Sequence, residues 1–146
     1  MKINNKVFYY GQGVITSEIF IEGIKFKQHS FTTTFYHSLN VANIALKLGK
    51  IFKYKNERDL VVSGLMHDFQ LNRCKQIDKY HLLNHPKFAI SEANRYFPNY
   101  LNTDCQNAIL SHLWPVSAKK PKGKLAWILT FSDKIASVLE FLRIIK

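Results

Sequence analysis

An all-α bundle of five or six helices is the fold this sequence predicts, and three observations carry it. Apolar residues recur at the helical period of about 3.6 through most of the chain. Asn, Thr, Pro and Gly stand where helices start and stop. Strand-type alternation is scarce. The chain has 146 residues, 47% of them hydrophobic, which suits one core and one domain spanning 1–146. Eleven Phe, seven Tyr and two Trp argue against disorder. There is no internal repeat or low-complexity tract.

The first dozen residues, with Gly11 and Gly13, are ambiguous. "ITSEIFIEGIKFKQH" suits a short helix, with Thr16 or Ser17 as N-cap and Glu18 in the first turn; Gly23 weakens it. From Thr33 to Leu48, Leu39, Ala42 and Leu46, with Ile44 and Leu48, mark an amphipathic helix ending near Gly49. Asn56 caps "ERDLVVSGLMHD", whose Glu57 and Asp59 favour the positive helix end. Residues 69–84 read as a loop. Pro86 is placed at a helix start, where its missing N–H costs nothing, and that helix runs to about Phe97. Another spans Asp104 to about Leu113, stopped before Pro115. The last runs from about Lys124 to Arg143, with Trp127, Ile128, Phe131, Ile135, Val138 and Leu142 on one broad face.

The net charge of +11 favours an anionic partner: a phosphate compound, nucleic acid or an acidic surface. Abundant Lys, Asn, Ile and Phe also fit a simple composition bias. The densest basic run, Lys119 to Lys124, holds Pro121 and Gly123 and is a loop, either solvated or steering phosphate. No apolar run reaches the roughly 18 residues of a membrane helix. The opening "MKINNKVFYYGQGV" has no signal-peptide core, so a cytoplasmic protein is expected, with Cys74 and Cys105 as free thiols.

The chemistry gathers around "LVVSGLMHDFQLNRC", an apolar helix that stops on His67 and Asp68. Adjacent helical side chains point about 100° apart, yet two at a helix end can converge on an ion beyond it. Imidazole nitrogen and carboxylate oxygen both bind first-row divalent metals. A capping pair is the other explanation of these two residues. His37, on the preceding helix, faces either the core or the same ion. Asp133 interrupts the most apolar helix, where a carboxylate needs a cation or several donors. A metal is a simpler partner for it than Lys134. His85 and His112 stand at expected helix ends, where side chains can reach into a cleft. His81 suits an exposed loop, a donor to a ligand residue or a general acid; His29 is undecided.

The order His37, His67-Asp68, Asp133, in "FYHSLNVA", "GLMHD" and "FSDKIAS", resembles the HD-domain superfamily of metal-dependent phosphohydrolases, an all-α bundle. His85 in "NHPKFAI" and His112 in "SHLWP" look like the added ligands of its dinuclear branch, with the pattern H…HD…H…H…D. "HSLNVA", "NHPKFAISEA", "SHLWPVS" and "SDKIASVLE" are similar to small bacterial single-domain HD proteins. The likeness covers about residues 29–140. Phe69, Gln70 and Leu71 follow the HD pair, where cyclic-dinucleotide phosphodiesterases carry Gly-Lys, and "GYP" is missing; this argues against cyclic di-GMP.

The resemblance implies that His37, His67, Asp68 and Asp133 hold one metal, and that Asp68 bridges to a second held by His85 and His112. It gives His67 and Asp68 the catalytic role, with a metal-activated hydroxide attacking a small phosphate ester such as a nucleotide. One or two first-row ions are implied, Fe, Mn, Co or Ni; Mg fits the His-rich ligation less well. Lys87, Lys134 and Arg73, with Lys79, are candidate phosphate contacts. Two alternatives stand beside this: a di-iron oxygenase on the same ligands, and a basic nucleic-acid-binding module using Tyr36, Tyr80, Tyr96, Tyr100 and Trp114.

Overall fold

The computed structural model describes residues 3–28 and 31–145, so His29 lies outside the described residues. The helices are α1 (Asn5–Ile15), α2 (Glu18–Ile21), α3 (Thr34–Ile51), α4 (Glu57–Met66), α5 (Leu71–Ile77), α6 (His81–Tyr96), α7 (Thr103–Ser111) and α8 (Gly123–Phe141). One 3₁₀ turn, Glu22–Lys25, follows α2. Among the described residues, strand-like pairing is one isolated bridge between Lys27 and Thr33. The all-α class is as predicted, and the added elements are short ones.

Polar side chains start the helices that carry the core. Asn4, Thr33, Asn56 and Asn102 accept from the backbone N–H groups of Lys6, Tyr36, Asp59 and Cys105. Each satisfies a donor with no partner inside the helix, worth about 1 kcal/mol. Asn102 also donates to Asp59 Oδ1 (2.9 Å), and Asn56 to Asp59 Oδ2 (2.8 Å). This buried carboxylate ties the start of α4 to the start of α7.

Helix α4 is the central element. Every residue from Asp59 to Met66 is buried, and α1, α3, α7 and α8 pack around it. Its closest neighbour is α3. A Cβ on Gly64 would lie 2.6 Å from Ala42 Cα and 2.8 Å from Ala42 N. Those are backbone atoms that cannot swing aside, so glycine is needed at this crossing. The close approach leaves the rings of His37 and His67 with centroids 5.3 Å apart.

Three expectations need correction. The segment 69–84 is not a loop: α5 spans Leu71–Ile77 within it, and α6 already begins at His81. Pro86 consequently lies inside α6 rather than at its start. The helix tolerates it because the carbonyl that a Pro86 N–H would serve belongs to Leu82, which is exposed. Finally, the broad apolar face of α8 is mostly solvent-facing. Of its residues, Ile128 is buried and Trp127 half-buried, whereas Phe131, Ile135, Val138 and Leu142 are exposed. The buried side instead carries Leu125, Leu129, Ser132, Ala136 and Glu140.

Gly64→Ala should therefore lower stability by about 1–3 kcal/mol, the usual penalty for overpacking. Gly13→Ala in α1, with nothing within 4 Å of its added Cβ, should be neutral or stabilising. Urea-unfolding midpoints of the two variants check this; an unchanged midpoint for Gly64→Ala would contradict the tight crossing.

Candidate metal centre

Six side chains from five segments converge at one end of α4. His67 is the C-cap of α4 and Asp68 follows it; His112 is the C-cap of α7. His37 comes from α3, His85 from α6 and Asp133 from the middle of α8. All are buried except Asp133, whose side chain is 17% exposed and marks the open side.

The rings are aimed before any ligand is considered. His67 Nδ1 donates to the Gly64 carbonyl (2.9 Å), His85 Nδ1 to the His81 carbonyl (3.0 Å) and His112 Nδ1 to the Ile109 carbonyl (2.7 Å). Each acceptor lies one turn back on the residue's own helix. His37 Nδ1 lies 2.9 Å from Glu140 Oε2. With every Nδ1 engaged, each ring is fixed with its Nε2 turned inward.

Asp68 straddles the cluster. Its Oδ1 lies 3.0 Å from His85 Nε2 and 3.5 Å from His112 Nε2, while Oδ2 lies 3.4 Å from His67 Nε2 and 3.9 Å from His37 Nε2. Asp133 Oδ1 is 3.2 Å from His37 Nε2 and 3.8 Å from His67 Nε2. Two triads have donor atoms within 4.8 Å of one another: His37, His67 and Asp133, and His67, Asp68 and His112.

This donor set fits a cation. His67 Nε2 is buried with no hydrogen-bond partner, and Asp68 Oδ1 faces only the imidazoles of His85 and His112. Leaving a buried polar atom unpaired costs roughly 1–3 kcal/mol. The Nε2 atoms of His85 and His112 sit 3.3 Å apart. If both Nδ1 atoms hold the protons, two lone pairs face each other, and a proton or a metal ion between them removes the repulsion. Imidazole and carboxylate ligands together suit first-row metals.

The family model for the HD domain matches residues 34–137. The chain belongs to the HD domain family. No curated protein and no solved structure matches it. HD domains are generally metal-dependent hydrolases, and the two triads of this chain, which leave out His85, are compatible with holding a metal.

Burial would lower the pKa of His37, but Asp133 and Glu140 outweigh it and raise the value to about 10. His85 is also raised, burial being outweighed chiefly by Asp68. Burial pushes Asp68 and Asp133 upward, yet the surrounding histidines hold both below the usual carboxylate range. The metal-free centre thus keeps a proton where a metal would sit.

The other predicted contacts are scattered. Lys134 Nζ donates to the His112 carbonyl (3.2 Å), beside the centre. Arg73 pairs with Glu92 (2.7 Å), and Lys79 lies over the Tyr80 ring. Lys87 is exposed and leaves α6 about 200° round from His85. His81 serves His85 through its carbonyl, while its own ring faces the Asp78 carbonyl. Lys119, Lys120, Lys122 and Lys124 line a cleft of about 690 Å³ with Tyr54 and Asp104. Gly123, in the same cleft, is about 15 Å of helix from Asp133. Of the aromatics, Tyr36, Tyr80 and Tyr96 are exposed, while Trp114 packs edge-on against Trp127. Two residues escaped sequence reasoning. Glu140 has no role in the sequence reading, though it follows Asp133 by two turns on the same face. Gln28, which donates to Asp68 Oδ2, lies before α3 and carried no signal.

Metal and proton compete for the same Nε2 atoms. The folded pKa of His37 lies above its unfolded value of 6.5, so its proton stabilises the metal-free fold fully below 6.5. That stabilisation fades as pH rises through about 10. Apparent affinity for Co²⁺ or Mn²⁺ should accordingly climb from pH 6.5 toward about 9, by up to about tenfold per unit for each proton displaced. Chelator-competition titrations across that range measure it, and a flat profile would contradict protonation at His37.

Proposed function

We propose that this HD-family chain hydrolyses a phosphomonoester or phosphodiester bond in a nucleotide or another small phosphate ester. In this proposal His37, His67, Asp68, His85, His112 and Asp133 hold one or two first-row divalent ions, with Fe, Mn, Co or Ni suited better than Mg. The observation that carries it is the set of inward-facing Nε2 atoms gathered around the two oxygens of Asp68.

Bound ions would supply Lewis acidity toward a phosphate oxygen and lower the pKa of water. The chain's own residues do the rest. Asp68 presents one oxygen to each side of the cluster and holds the donors of both to one point. Lys134, resting on the His112 carbonyl, is the cation best placed to turn toward a phosphate. Arg73 would first have to leave Glu92. The net charge of +11 draws anionic substrate toward the molecule. Among the described residues no helix is long and apolar enough to cross a membrane. Both cysteines are free and buried, which suits the cytoplasmic setting proposed here.

The test is phosphate or nitrophenol release by Mn²⁺-loaded protein, from aryl phosphate mono- and diesters and from a nucleotide panel. Asp68→Ala should lose more than the roughly 10–100-fold typical of an outer-shell change. Full activity and full metal content in that variant would overturn the proposal. Oxygen-dependent turnover without phosphate release would assign the di-iron oxygenase chemistry instead.

A further inference from the structure

We infer that Glu140 is a positioning residue that makes the His37–Asp133 half of the centre its tighter half, the one that fills first. The inference rests on the metal-binding reading above. What separates the halves is the group behind each ring. Behind His67, His85 and His112 stands a backbone carbonyl. Behind His37 stands a carboxylate: Glu140 Oε2 at 2.9 Å and Oε1 at 3.2 Å from Nδ1. A carboxylate there fixes the ring and raises its basicity as a ligand more than a neutral carbonyl does.

Glu140 is itself held. It is fully buried, and Asn40 Nδ2 donates to its Oε1 at 2.9 Å. Asn40 sits one turn after His37 on α3, and Glu140 two turns after Asp133 on α8. Each helix therefore brings one ligand and one member of the supporting pair, and the four side chains interlock across the α3–α8 contact. Charge acts in the same direction. The His37 half faces Asp133, Asp68 Oδ2 and, behind the ring, Glu140. The His85–His112 half faces Asp68 Oδ1.

Co²⁺ titration of the full chain, followed by visible absorption and chelator competition, tests this. In the wild type the first ion should bind in the His37 half. Glu140→Gln keeps the size and removes the charge; it should weaken that first step by roughly 10–100-fold and leave any second step unchanged. His85→Ala should remove the weaker step and keep the tighter one. Asn40→Ala should weaken the tighter step to a smaller degree, and it carries the test if Glu140→Gln does not fold. An unchanged first step in Glu140→Gln, equal weakening of both steps, or loss of the tighter step in His85→Ala would overturn the inference while leaving metal binding intact. No Co²⁺ uptake by the wild type would sink the metal-binding reading along with it.

Discussion

The hydrogen bonds at Nδ1 are the constraint on which the centre depends. Three imidazoles give that proton to the carbonyl one turn back on their own helix. For His67 and His112 this is a helix end, where carbonyls lack partners inside the helix and are free to accept. A helix that stops on histidine can thus aim the ring using its own last turn, with nothing else required. The end of a buried apolar helix can orient a candidate ligand in this way: it supplies the acceptor that points the His67 Nε2 beyond it.

The scaffold has to bring two such ends together with residues from inside α3, α6 and α8, and it does so through close packing. Gly64 lets α3 and α4 approach until a Cβ would meet backbone. The same residue offers the carbonyl that orients His67, so one glycine serves both the crossing and the site. Asp59 and Asn102 join the starts of α4 and α7, whose far ends carry His67 and His112. Buried polar groups on this scale are tolerable only when each finds a partner. The unpaired atom, His67 Nε2, lies at the point where the rings converge.

Helix α8 is where the site overrides the apolar pattern. Turning Asp133 and Glu140 inward leaves Phe131, Ile135, Val138, Phe141 and Leu142 on the surface. Small residues, Ser132 and Ala136, face the core beside them and let α8 lie close to α3. The exposed stripe is a consequence of that rotation: one helix cannot bury both faces in a bundle this small.

By itself the sequence determined the all-α class, the cap at Asn56, the helix start at Thr33 and the stop of α4 on His67 and Asp68. These are local matters of period, capping and composition, decided within a turn or two of chain. The order of His37, His67-Asp68, His85, His112 and Asp133 also marked the ligand candidates and the family. The tertiary structure alone decided which face of α8 is buried, that α6 begins before Pro86, and that Arg73 turns to Glu92 rather than to the centre. It also decided that Glu140 and Asn40 stand behind His37, although 100 residues separate them in the chain. Period and propensity carry no information about a partner that distant. Only the packing of α3 against α8 brings the two into one hydrogen bond.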